Sequence, residues 1–371
     1  MPHPLTRRSL FQASGALLAS SVVPVAAFAS ADTPADSQRI RLNLNENAFG
    51  PSPTVVPAVE RALRQISRYG EASAAKALTE QIAAYEHVDP EQVILGEILV
   101  ELGLYLGSRG SAGGEFLYST PGYLALIDAA HRVGGVGVGV PLNSAFENDL
   151  PALAARVSDR TRAVFLVNPH NPAGTVSDAA AFHDFLRTVS QRTTLIVDEA
   201  YLEYTDDFAQ RSAVSLVRAG ANVIVFRTFV KIYGLAGLPI GYALVPRAIG
   251  NALRQQGLGD AELLGRLNIA AASAALSDQL YVAQIRSVVA HERDRWHATL
   301  DELRLRRTLS RANFIFFDAG RPHDELAAAF SKRGIEIARA FPPYDTWARI
   351  TIGRPSENLR TQQVLRSILA R

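Results

Sequence analysis

The chain has 371 residues, 48% of them hydrophobic, enough for one large core or two moderate ones. Its formal charge of +2 comes from Arg7 and Arg8; without them basic and acidic residues balance at 36 each. That neutrality gives no ground for nucleic-acid or anionic-membrane binding, and the lack of cysteine excludes disulfide and thiol chemistry.

Residues 1–31 read as a leader. "TRRSLF" sets paired arginines before the apolar "ALLASSVVPVAAF", and the small residues of "AFA" and "ASA" offer cleavage after Ala29 or Ala31. This is the twin-arginine export pattern, and the run is too short and too broken by Ser and Pro to span a bilayer. The expected location is therefore periplasmic or otherwise exported, with no membrane span in the mature chain.

Residues 32–65 form an N-terminal arm, including the extended "RLNLNENAFGPSP". Helical patterns fill 54–87, with a break at "RYGEAS". From about 90 to 245, apolar strands ("GEFLYS", "VGVGVPL", "AVFLVN", "TLIVDE", "NVIVFRT", "IGYALV") alternate with amphipathic helices such as "DAAAFHDFLRTVSQR". The alternation predicts an α/β fold: a three-layer α-β-α large domain with a mostly parallel sheet, residues 66–255. Long helices at 260–300 and the strands "ANFIFFDAG" and "WARITIG" predict a smaller α+β domain, residues 256–371 joined by 32–65. The glycine-rich "VGGVGVGV" (133–140) misses the dinucleotide fingerprint and reads as a strand.

Three lysines occur in the chain, Lys76, Lys231 and Lys332. Lys76 and Lys332 lie in polar helical stretches. Lys231 follows a strand in the apolar "VIVFRTFVKIYGLAGLPIGYAL", where lost solvation would favour the neutral, nucleophilic amine that a Schiff base requires. The bland alternative is a lysine whose stem lies on apolar surface with its head in water. Asp198 ends the strand in "LIVDEAYLEY", at the edge where α/β proteins bind ligands, and could pair with the protonated nitrogen of a pyridine cofactor. Tyr201, Asn171 in "NPHNPAGT" and Tyr123 in "STPGYLAL" sit at the same kind of strand end. Each alone has an ordinary structural explanation; together, in this order, they point to pyridoxal phosphate.

With "LNLNENAFGPSP", Arg68-Tyr69, "PGY", "NPHNPAGT", "VDEAYLEY", "KIYGLAGLPIGY", "SRANFIFF" and "RITIG", nearly all of the mature chain resembles a fold-type I pyridoxal-phosphate enzyme of the class I/II aminotransferases, near the histidinol-phosphate aminotransferase branch. The resemblance implies that Lys231 carries the cofactor and shuttles a proton, and that Asp198 pairs with the ring nitrogen. Asn171 and Tyr201 would hold the 3-oxygen, and Tyr123 would stack on the ring. Tyr69 would reach the partner subunit's phosphate in a homodimer. Arg349 would bind the substrate carboxylate, with Asn45 and Asn47 lining the entrance. Substrates would be an amino acid and a keto acid.

Departures gather at the phosphate. Ile98, Leu99 and Val100 replace the family's polar turn, Val230 its serine and Pro239 its arginine. Thr228, Tyr69 and the backbone N–H groups around Glu97 and Ile98 are left to hold the phosphate. The family's second substrate arginine is displaced by one, from Ala338 to Arg339. Three readings are open: an aminotransferase, another pyridoxal-phosphate reaction (lyase, racemase, decarboxylase or oxidase), and a non-catalytic relative with a weakened phosphate site.

Overall fold

The structure, a computed structural model, describes residues 39–110, 113–258 and 263–370; the expected leader lies outside them. Seven strands make the large sheet: β2 (Val93–Leu95), β3 (Glu115–Thr120), β4 (Val136–Pro141), β5 (Thr161–Val167), β6 (Thr194–Asp198), β7 (Val223–Thr228) and β8 (Gly241–Leu244). Their order is β2-β8-β7-β6-β5-β3-β4, with β8 antiparallel to both neighbours. β4 takes in residues 136–140 of the glycine-rich run that reads as a strand. All six residues of β7 are buried, as are six of seven in β5, five of them an unbroken apolar run. That is the pattern of strands covered on both faces.

Helices α1 (Val55–Leu63), α2 (Ala72–Glu86), α3 (Leu99–Gly107), α4 (Ala125–His131), α5 (Leu150–Arg156) and α6 (Ala179–Val189) precede or interleave with the first strands. α7 (Phe208–Arg211), α8 (Val214–Arg218), α9 (Arg247–Arg254), α10 (Arg266–Ser277), α11 (Gln279–Glu302), α12 (His323–Ser331) and α13 (Pro355–Leu369) follow. α6 shows why they form. Asp178 caps it by accepting from Ala181 N at 2.9 Å, and Phe182, Phe185, Leu186 and Val189 turn one face to the core.

Two small sheets lie in the segments expected for the second domain. β1 (Ile40–Leu42) pairs in parallel with β10 (Ile335–Ile337), and β9 (Phe314–Asp318) pairs antiparallel with β11 (Trp347–Thr351). Residues from Arg39 onward belong to one compact unit. Among the described residues no helix is long and apolar enough to cross a membrane.

β7 presents alternate faces. Ile224 and Phe226 join the apolar cluster under α3, with Leu99, Leu102 and Phe165. Arg227 faces the other way and is 2% exposed. It pairs with Glu199 at 3.0 Å and Glu86 at 3.2 Å, while Ser212 and Tyr242 donate to the same two carboxylates. A buried guanidinium so paired leaves uncompensated carboxylates when removed. We predict that Arg227→Met lowers the unfolding free energy by about 3–5 kcal/mol in urea titrations; a loss below about 1 kcal/mol would show that the network does not hold this face together.

Candidate active site

Three adjacent parallel strands end at one edge. Val167 of β5 is in register with Asp198 of β6, and Asp198 with Phe226 of β7. The chain beyond each end therefore delivers Asn171, Asp198 and Lys231 to the same side of the sheet, where open α/β sheets bind ligands. The N-terminal arm crosses over this edge. Lys231 Nζ donates to Leu44 O at 3.1 Å and lies 5.8 Å from the centre of the Tyr201 ring.

The surroundings of Lys231 differ from the expected apolar pocket. Its sequence neighbours Phe229 and Ile232 are buried, but the lysine is half-buried and turned into a polar cleft. Apolar sequence around a residue reports where its neighbours pack, and here they pack away from it. Two carboxylates interact electrostatically with the ammonium, those of Asp198 and Glu97. Asp198 is 3% exposed, and one oxygen accepts from Ala200 N at 2.9 Å. Burial pushes its carboxyl up to about 7; Glu97 adds to the rise, while the Ala200 N–H and Lys231 oppose it.

Tyr123 and Tyr201 occupy the same cleft. The Tyr123 ring is exposed to it, and desolvation pushes the hydroxyl up to about 12, with the charges of Asp198 and Glu97 acting in the same direction. Tyr201 packs edge-on against Phe314 at 5.1 Å, and its hydroxyl accepts from Asn45 Nδ2 at 3.2 Å. Asn45, buried and with φ of 57°, also receives Thr351 Oγ1 at 3.2 Å on its side-chain oxygen.

Arg349, on β11, is buried against Phe314 and Phe341. Its NH1 donates to Asn171 Oδ1 at 2.6 Å and its NH2 to Asn43 O at 2.7 Å, while Nε is buried without a partner. Burial lowers the guanidinium to about 10, against the opposing pull of Tyr201 and with Arg339 adding to the fall. Asn171 thus spends its oxygen on Arg349 and keeps its amide N–H groups for the cleft. Arg339 is exposed; its guanidinium stacks 4.6 Å from the Phe341 ring and donates to Ala340 O.

Several expected contacts are placed differently. Asn47 does not line an entrance: its Nδ2 donates to Ile232 O at 2.8 Å and Gly50 O at 3.2 Å, and its Oδ1 accepts from Phe49 N. It braces the arm against the lysine loop. Tyr69, expected to act in a partner subunit, is 82% exposed, which is compatible with that expectation. Thr228 is buried, and its hydroxyl donates to Glu97 Oε1 at 2.6 Å instead of standing free. Glu97 turns its carboxyl into the cleft, where burial raises it above its ordinary range and one oxygen accepts from Thr228, so it is its backbone N–H that matches the expected role. Ile98 caps α3 with no side-chain bond, leaving the first-turn N–H groups available. The carbonyls of Asn43 and Leu44, and Thr351, Phe314 and Phe341, are site components that residue types alone do not disclose.

The chain matches the family described as "Aminotransferase class I and II" over residues 37–364. It is 36% identical to the histidinol-phosphate aminotransferase of Moorella thermoacetica over 335 residues, 89% of this chain and 86% of the relative. It is 34% identical to the aromatic amino acid aminotransferase of Thermobifida fusca, over 87% and 88% of the two chains. The crystal structure of histidinol-phosphate aminotransferase from Sinorhizobium meliloti in complex with pyridoxal-5'-phosphate superposes with a TM-score of 0.79, at 28% identity, covering 95% of this chain and 99% of that one.

Because the folded pKa of Asp198 lies above its unfolded value, its protonated form contributes stability that is complete below pH about 4 and lost as pH rises to about 7. In the ligand-free protein, the stability of wild type relative to Asp198→Asn should fall across that window by up to about 4 kcal/mol. Denaturant titrations at several pH values check it; a flat difference would mean that the carboxyl is solvated.

Proposed function

The chain belongs to the aminotransferase class I and II family, and from that premise we propose a pyridoxal-phosphate-dependent enzyme that moves an amino group from an amino acid to a keto acid, with Lys231 as the attachment residue. The observation that carries the reading is the convergence of Lys231, Asp198 and Asn171 at the ends of three adjacent parallel strands, with Arg349 bonded to Asn171 at 2.6 Å.

The ring side of the cofactor fits these residues. When bound, pyridoxal phosphate supplies a sink for the electron pair released as the substrate Cα–H bond breaks. Asp198 is placed to accept the ring N–H, and its burial strengthens that bond. The free N–H groups of Asn171 and the Tyr201 hydroxyl are donors for the 3-oxygen. Tyr123 offers a ring face as cover against water. Lys231 Nζ, released from Leu44 O, would carry the proton to and from the substrate Cα. Arg349, already desolvated and held in plane by Asn171 and Asn43, would receive the substrate carboxylate.

The same reading carries an exported homodimer. Arg7 and Arg8 before an apolar run support export, and the exposed Tyr69 supports a role toward a second subunit. The relatives include enzymes named for histidinol phosphate and for aromatic amino acids, so the amino donor is left at the level of an amino acid or its alcohol analogue.

With an amino acid and a keto-acid acceptor, the purified protein should produce the paired keto and amino acids in equal amounts. Lys231→Ala should lose about a thousandfold or more in rate. Turnover without an acceptor would contradict transamination. Arg349→Lys should raise KM for the carboxylate substrate about ten- to a hundredfold, because a point charge replaces a planar fork; an unchanged KM would remove Arg349 from the substrate site.

A further inference from the structure

The strand order fixes what lies on each side of the lysine. On a pyridine ring that Asp198 would hold at its nitrogen, Asn171 and Tyr201 at its 3-oxygen and Lys231 at carbon 4, the 5-substituent would point away from β5. In the strand order that is the side of β7, β8, β2 and the start of α3. That end of the cleft holds a carboxylate. Glu97 Oε1 accepts from Thr228 Oγ1 at 2.6 Å, and a Cβ added to Gly241 would come within 2.9 Å of the same oxygen. Gly96 N donates to Gly241 O at 2.9 Å, pinning the backbone beside Glu97 over the start of β8.

The hydroxyl proton of Thr228 is thereby spent, and its oxygen already accepts from Val230 N at 3.1 Å. Val230 and Pro239 carry no side-chain donor, and the Pro239 carbonyl is bonded to Asn268. Burial raises the Glu97 carboxyl above its ordinary range and Glu101 adds to the rise, while the Thr228 hydrogen bond and Lys231 oppose it. The charged groups that act on neighbouring Asp198 are Glu97, Lys231 and Glu199. Lys231 is the cation that acts on both Glu97 and Asp198, since Glu199 is paired with Arg227; the first-turn N–H groups of α3, with Tyr69 expected from a second subunit, are the other attraction for an anion. A phosphate monoester carries about −1.5 to −2 at neutral pH and meets at Glu97 an acceptor oxygen already bonded to Thr228 and, once that carboxyl is ionised, a like charge.

We propose, resting on the functional reading above, that Glu97 is an internal anion competing with the cofactor's phosphate at the ends of β7 and β8, so that the phosphate ester binds this chain with no advantage over the same aldehyde without it. Glu97 keeps Thr228 satisfied when the subsite is empty of phosphate and must be displaced for phosphate to enter. The ring contacts then carry most of the recognition.

The test is attachment of pyridoxal phosphate and of 5′-deoxypyridoxal, which has neither a phosphate nor the hydroxyl that would cyclise onto the aldehyde. Both are titrated by absorbance into wild type, Glu97→Gln and Glu97→Ala, with the adduct site checked by reduction and peptide mass. The expected result is dissociation constants within about threefold of each other for the two aldehydes in wild type. Both variants should bind pyridoxal phosphate about ten- to a hundredfold more tightly while 5′-deoxypyridoxal is unchanged, which also shows that the variants are folded. Pyridoxal phosphate binding more than tenfold tighter than 5′-deoxypyridoxal in wild type, with no change on substituting Glu97, overturns the inference and leaves the functional reading intact. Failure of both aldehydes to attach to Lys231 overturns the functional reading and this inference together.

Discussion

Everything at the site depends on the register of β5, β6 and β7. Side chains alternate across a strand, so a slip of one residue between β6 and its neighbours would turn Asp198 to the opposite face. The unbroken apolar runs of β5 and β7, buried against helices on both sides, make that slip costly. The ladder also explains why chemistry gathers beyond Val167, Asp198 and Thr228: backbone groups past the last pair are free to turn, and their side chains share one edge. Arg227 and its carboxylates anchor β7 from the far face, so the strand that delivers Lys231 is held from below by charge and from above by packing.

The second constraint is long-range. The arm around Asn43–Asn47 is stitched to the C-terminal strands by Asn45 N on Thr351 Oγ1, by Asn313 Nδ2 on Asn45 O and by Arg349 NH2 on Asn43 O. The same arm touches the large sheet through Asn45 on Tyr201, Asn47 on Ile232 O and Lys231 on Leu44 O. Arg349, proposed to meet substrate, and Lys231 and Tyr201, proposed to meet the cofactor, are therefore coupled through one short extended segment. A carboxylate arriving at Arg349 would compete with Asn171 and Asn43 for the guanidinium, and so act on both sides of the cleft.

Much of this is legible in the sequence. The alternation of apolar strands with amphipathic helices carries the mostly parallel sheet, and the apolar run before Lys231 marks its strand. Asp198, Asn171, Tyr201 and Tyr123 are visible because they carry functional side chains in distinctive strand-end motifs. Less legible are groups that act through the backbone: nothing in the letters Asn43 or Leu44 announces a carbonyl for a guanidinium or an ammonium. β1 and β10 are three residues each, too short for an alternation pattern, and pair from opposite ends of the chain. The environment of Lys231 is misread from its neighbours, since Phe229 and Ile232 pack inward while the lysine turns out. Glu97 is seen as part of an altered turn, but its side chain, aimed at Thr228, emerges only from the fold.

The central claim is that Lys231, alone among three lysines, holds the cofactor at this edge. Borohydride reduction of the protein loaded with pyridoxal phosphate, followed by peptide mass analysis, tests it most directly. The account predicts one added pyridoxyl phosphate per chain, on the peptide containing Lys231, and none in Lys231→Ala. Label on Lys76 or Lys332, or equal labelling of the Lys231→Ala protein, would contradict it.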